Sequence, residues 1–236
     1  VNSMQPEDKP IHFSTELLFA PFQLKPAVLQ RLYYELSQFE GAGYDNVELS
    51  PPGPPRFHSR RDSRTQSIAL FLPDRVTLIE EWVEQPLQAF LRKVEIISER
   101  VLYIFELESF TAQTAVVRTT FTLTGQAPDA HAFLVDKAWG QYDRLSPHFL
   151  RPVATVGLKL VLPPAENAPG EMHILIEPFR HETGSIFVEA KGIFGGLHVT
   201  RASLAPLLDN IRQAHTMASV RTRSYLEQFE SWEEQS

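Results

Sequence analysis

Nine consecutive residues, Arg56-Phe57-His58-Ser59-Arg60-Arg61-Asp62-Ser63-Arg64, set four arginines against one aspartate in a chain whose formal charge is −7. Guanidinium groups grip phosphate or carboxylate bidentately, and Phe57 and His58 offer flat rings to a base. Arg56, His58, Arg60, Arg61 and Arg64 are therefore candidates for an anion site on an Arg-rich loop, 56–64. The competing reading is a solvated loop whose arginines pair with acidic surface elsewhere.

A second set follows from strand phase. Arg118, Lys159, His173, Glu177, Glu189 and Lys191 should point the same way from neighbouring strands, away from the helices. Opposed charges on such a face stabilise it by cross-strand pairing, and His173 with Glu177 or Glu189 could exchange a proton. The third set is C-terminal. Leu204, Leu208, Ile211, His215, Ala218, Thr222, Tyr225, Phe229 and Trp232 recur at four and three residues, the seam of a helix that packs along a partner. Tyr225, Phe229 and Trp232 are the candidate interface with a second subunit; simple packing within the chain is the competing reading.

Other chemistry lacks its residues. The sequence holds no cysteine, which removes disulfides, thiolate nucleophiles and sulfur-ligated metals. No Walker loop, H-E-x-x-H, G-x-S-x-G, G-x-G-x-x-G or acidic calcium loop is present, so no catalytic residue is assigned. A metal site at His173, Glu177 and His181 would need one unbroken strand, which Pro178 and Gly184 argue against. No metal and no cofactor are expected. Gly192-Ile193-Phe194-Gly195-Gly196 reads as a turn with positive-φ positions.

The elements that must position these residues are legible from periodicity. Residues 1–10 are polar and proline-punctuated, a disordered tail or extended start. Ile11 to Phe19 alternates as a strand. Pro26 opens a helix that Gly41 and Gly43 stop. The stretch Tyr44 to Thr65, with its proline cluster, is a long loop or an extended edge. Ser67–Leu72 and Val76–Glu80 form a hairpin around Pro73-Asp74-Arg75, and Pro86 opens a helix reaching Phe105. The second half repeats that order. A strand covers 114–124, Asp129 caps a helix to Trp139, and 140–152 is a loop. Strands follow at 153–162, 171–179 and 185–194, with a helix from about Ala202 past Tyr225.

Antiparallel strands mixed with helices predict an α+β fold. The expected unit is a single two-halved domain, residues 11–236, with halves of about 11–108 and 109–236, a sheet continuous across both and helices on one face. The strand HFSTELLFAPF with its following helix, the VRTTFTLT strand and the long terminal helix together resemble a poorly characterised prokaryotic family of this length. That resemblance implies the two-halved strand, helix, strands, helix order and carries no functional residue with it. The repeated order is also similar to the saddle of TATA-binding-protein-like folds and to the paired ferredoxin-like halves of CRISPR RNA-processing proteins.

Charge and hydropathy bound the partners. A net −7 disfavours bulk attraction to nucleic acid or anionic lipid. No apolar run approaches the ~20 residues of a membrane helix, and residues 1–10 lack a signal-peptide pattern, so a cytoplasmic chain is expected. The preferred function is a non-catalytic binding or protein-interaction module, homodimeric; the alternative is an RNA- or nucleotide-binding or processing protein using the Arg-rich loop.

Overall fold

Alternating apolar side chains along successive segments produce a nine-stranded antiparallel sheet in which one face is consistently apolar. The computed structural model describes residues 9–82, 85–123, 129–140, 153, 155–166 and 168–230. In chain order the elements are β1 (Lys9–Leu18), α1 (Pro26–Leu36), β2 (Asn46–Glu48), β3 (Arg56–Arg60), β4 (Gln66–Leu72), β5 (Arg75–Glu81) and α2 (Leu87–Ile104). There follow β6 (Ala112–Thr122), α3 (Ala130–Ala132, continued by a π-helix over Phe133–Trp139), β7 (Leu158–Leu162), β8 (Glu171–Pro178) and β9 (Ser185–Phe194). The last element, α4, runs through Ala205–His215, a π-helical stretch Thr216–Arg221 and Thr222–Glu230.

The strand order is β2-β3-β4-β5-β1-β6-β9-β8-β7. The first strand of each half lies at the centre, so β1 and β6 join the halves in one sheet. The likeness of the halves is one of element order; four strands follow α1 and three follow α3. The fold is α+β with the helices on one face, as the periodicity implies.

Odd-numbered β1 residues Phe13, Thr15 and Leu17 face the helices, and His12, Ser14 and Glu16 face away. Phe13 stacks on Phe90 of α2 at 5.4 Å, while Phe57 of β3 meets Phe71 of β4 at 4.6 Å. Each such fully buried ring contributes about 2–3 kcal/mol through burial alone. One set of buried polar atoms ties a helix to the sheet. Gln113 donates to the Thr15 hydroxyl and the Leu207 carbonyl, and accepts from Asn210, which fixes α4 on β6 and β1.

The helix ends follow their residues. Pro26 occupies the first turn of α1, where no N–H is needed. The Asp129 carboxylate accepts from the Ala132 amide at 2.7 Å and caps α3. Glu106, at φ 54°, ends α2 with Leu107 N–H bonded to the Leu102 carbonyl.

Several expectations are corrected. Strand β1 begins at Lys9, because Lys9 and Pro10 pair with Thr120 and Thr119, two residues inside the expected tail. Of the two readings of 44–65, the extended edge is the one found, with β2 and β3 as an edge hairpin. Gly192 is not in a turn: it lies within β9 opposite Ala115, and only Gly196 of that motif has positive φ, 66°. The expected strand 153–162 is shorter, Leu158–Leu162. The turn expected at 125–128 lies outside the described residues, as do positions 141–152 of the expected loop.

The seam of α4 is also revised. Leu208, Ile211, Ala218 and Thr222 of the expected seam are buried, but Leu207, Ala214, Ser219 and Leu226 are buried with them, and the step after Thr222 is four residues rather than three. The wider π turn shifts the buried stripe by one position. Leu226 is buried where the seam called for Tyr225, and Tyr225 is exposed. Phe229 packs against the chain's own core and so is not a projecting contact. Trp232 lies outside the described residues.

Candidate functional site

No described helix covers the outer sheet face, and strand register arranges its side chains in rows. One row crosses six strands as Arg60, Gln66, Glu81, His12, Arg118 and Glu189. The next holds His58, Ile68, Ile79, Ser14, Val116, Lys191 and His173. Arg118, Lys159, His173, Glu177, Glu189 and Lys191 all lie on this face, as their phase predicted. Ion pairs run along it: Arg118 to Glu189 at 2.6 Å, Arg75 to Glu16 at 3.2 Å and Arg56 to Glu48 at 2.7 Å. His173 bonds Glu171 rather than Glu177 or Glu189, because Glu171 is its same-face neighbour on β8. That contact removes the expected proton-transfer pair. Lys159, Glu177 and Lys191 have no hydrogen bond or ion pair among the described residues.

At the centre of this face His12 is 8% exposed. Its Nε2 meets the Ser14 hydroxyl at 2.9 Å, and its Nδ1 lies 3.4 Å from Glu81 without hydrogen-bond geometry. Burial first, then the Arg118 guanidinium, disfavours the imidazolium; Glu81 and Glu189 offset this only partly, and the pKa falls from 6.5 to about 4. The unfolded chain therefore takes a proton that the folded chain refuses. The His12 contribution is intact above pH 6.5 and is lost as pH falls from 6.5 through about 4, up to about 3 kcal/mol. Urea unfolding at pH 7 and pH 4.5 should show this loss in the wild type, and His12→Gln should lack it.

The Arg-rich segment is not one site and not a loop throughout. Residues Arg56–Arg60 form β3, and strand alternation sends Arg56, His58 and Arg60 outward while Phe57 and Ser59 face the helices. Arg60 straps the following turn, donating to the carbonyls of Asp62 and Ser63. Asp62 accepts from the Thr65 and Arg64 amides, which holds its carboxyl below the usual range. Arg64 lies 5.9 Å from the centre of the Trp82 ring. His58 is 3.7 Å from Glu48, which also pairs Arg56. Arg61 alone of the four arginines makes no side-chain bond or ring contact among the described residues.

Arg61 instead borders a cavity of about 280 Å³ on the helix side of the sheet. Its walls are Gly41, Gly43, Asp45, Ser59, Arg61, Thr65, Gln66, Ser67, Glu80, Gln85 and Lys93, without one large apolar side chain. At its floor Lys93 Nζ donates to Glu80 Oε1 at 2.8 Å and to the Ser67 hydroxyl at 2.6 Å. Ser67 in turn donates to Glu80 Oε1 at 2.7 Å. The Lys93 ammonium sits 4.2 Å from the centre of the Tyr44 ring, a cation–π contact inside the fold. Burial, and next the Glu80 carboxylate, push the Tyr44 hydroxyl well above the ordinary tyrosine value; a weak Ser67 contact opposes them without good hydrogen-bond geometry.

Ser67, Glu80, Lys93 and Tyr44 were not among the sequence candidates, yet a signal was there. Glu80 continues the inward series Val76, Leu78, and Lys93 falls three residues after Phe90 and four before Ile97 on the apolar face of α2. A charge at a core-phased position needs a partner. Here each supplies the other's.

No family model matches the chain, and no curated protein matches it. Among solved structures, an aspartate kinase from Clostridium acetobutylicum, described as an allosteric enzyme, is similar with a TM-score of 0.25 and 13% identity. The match covers 88% of this chain and 33% of that one, so the chain spans about a third of that structure's length. A likeness of that size carries no argument. Among the described residues no helix is long and apolar enough to cross a membrane, and no group of three or more His, Asp or Glu side chains is placed to hold a metal ion.

Proposed function

We propose that the chain is a non-catalytic protein-interaction module that forms a homodimer and binds a protein partner on its outer sheet face. The observation that supports this reading is the outer face itself, which no described helix covers. It carries an apolar patch, Ile68, Leu70 and Ile79, on one side and the separate apolar residues Leu175, Phe187 and Ile193 on the other, about a central ridge of paired charges. Apolar side chains bordered by charged ones are a composition found in protein interfaces. Arg56, Arg60, Arg75, Arg118, Lys159 and Lys191 are matched on this face by Glu16, Glu48, Glu81, Glu171, Glu177 and Glu189. Among the described side chains, six against six leaves no cationic track for a phosphate backbone.

Self-association is supported by the edge strand β7, where Leu160, Val161 and Leu162 are 41%, 50% and 39% exposed. Unprotected apolar edges invite strand pairing. In an antiparallel pair centred on Leu160, Leu158 meets Leu162 of the partner subunit and Lys159 meets Val161 of the partner subunit, so no like charges face each other. Sedimentation should give a dimer for the wild type and a monomer for Val161→Lys, which would oppose Lys159 of the partner subunit. A wild-type monomer would remove this half of the reading.

The face is tested by affinity capture with Ile79→Glu/Val116→Glu beside a helix-side control, Tyr34→Glu. Loss of a captured protein in the face variant alone supports the proposal; equal capture by all three counts against it. The RNA-binding alternative keeps one observation, Arg64 over Trp82 with Phe179 6.3 Å beyond, an arrangement on which bases stack. Nuclease-sensitive capture abolished by Arg64→Ala/Trp82→Ala would favour it.

A further inference from the structure

We infer that the polar cavity bounded by β3, β4, β5 and α2 binds a small zwitterionic metabolite of the α-amino-acid type, its carboxylate on Arg61 and its ammonium on Asp45. The cavity, about 280 Å³, falls just under the ~300–1,000 Å³ of sites for drug-sized ligands, which suits a small polar molecule. Its wall charges divide into two pairs. The inner pair, Lys93 and Glu80, is mutually satisfied at 2.8 Å. The outer two, Arg61 and Asp45, are exposed to solvent and make no side-chain bond among the described residues. They are neighbours, because the Asp45 amide donates to the Ser59 hydroxyl at 2.9 Å and Arg61 is the next residue on that side of the chain, about 7 Å on.

The balance of charge selects the ligand class. A bare anion on Arg61 would face the carboxylates of Asp45 and Glu80, and a bare cation on Asp45 would face Arg61 and Lys93. A neutral polyol would leave both outer charges unpaired. A molecule carrying carboxylate and ammonium on adjacent atoms pairs both at once, each contact a charge-assisted hydrogen bond. Two further groups await its side chain. The Gln85 Nε2 atom is buried without an acceptor, and Glu80 Oε2 accepts no hydrogen bond among the described residues. An unsatisfied buried donor costs about 1–3 kcal/mol, and a polar ligand side chain relieves it. The ligand is thus an amino acid with a hydrogen-bonding side chain.

Calorimetric titration of the full chain with each of the twenty proteinogenic L-amino acids tests this. At least one polar-side-chain amino acid should bind, and Arg61→Gln and Asp45→Asn should each weaken it tenfold or more with unchanged circular dichroism. The methyl ester and the N-acetyl derivative of that amino acid, which each remove one charge, should lose binding to the wild type to the same degree. Binding of none of the twenty, equal binding of inorganic phosphate or glycerol, or binding indifferent to both substitutions and both derivatives would overturn the inference. The outer-face variant Ile79→Glu/Val116→Glu should bind the amino acid normally, which separates this result from the partner-binding proposal.

Discussion

Lys93→Met is expected to lower the unfolding free energy by about 3–5 kcal/mol, because it leaves the Glu80 carboxylate buried without its counter-ion. Glu80 and Lys93 side chains are 4% and 9% exposed, so the carboxylate left behind is poorly hydrated. The substitution also removes the cation over Tyr44 and one of the two hydrogen bonds that hold Ser67. Against a typical total of about 5–15 kcal/mol, this brings the fold near its limit. Adding Glu80→Gln to Lys93→Met should recover at least half of the loss, since a neutral amide still bonds Ser67 and no bare charge remains. Urea unfolding of the two single variants and the double variant measures the coupling. A cost below about 1 kcal/mol for Lys93→Met would mean that water in the cavity screens the pair.

Gly192→Ala should be destabilising by about 1–3 kcal/mol or more, although alanine is ordinarily benign in a strand. A Cβ at Gly192 would fall 2.5 Å from Phe194 Cε2, and one at Gly170 would fall 2.2 Å from Phe194 Cε1. The ring is therefore held between two glycines on the helix side of the sheet, 2% exposed. Phe194→Ala alone is expected to cost about 3–5 kcal/mol by opening a cavity. In the double variant the added methyl group occupies part of that space, so Gly192→Ala/Phe194→Ala should be no worse than Phe194→Ala. Additive losses would show that the glycine is needed for its backbone and not for the ring.

Much of the fold was legible because it depends on local period. Strand phase alone placed Arg118, Lys159, His173, Glu177, Glu189 and Lys191 on one face, and the pairing of β6, β8 and β9 keeps them there. The α+β class and the uncovered sheet face follow from the same alternation. Other features depend on which strands become neighbours, and no local pattern specifies that. Four clustered arginines looked like a single anion site, but alternation along β3 and the turn after it sends them to different partners. The seam of α4 departs from its expected course at Leu226, after the π-helical stretch Thr216–Arg221, a register change that depends on packing against β6 and β9.

The amino-acid sequence by itself thus determined the elements, the inward and outward phase of their side chains and the absence of cysteine chemistry, because these are set by residue type and spacing along the chain. Only the tertiary structure decided that Ser67, Glu80 and Lys93, up to twenty-six positions apart, meet under β4 and β5 while Asp45 and Arg61 stand at the same cavity. Polar groups on separate elements find one another only when the apolar faces around them close, and that closure is a property of the whole sheet with its helices.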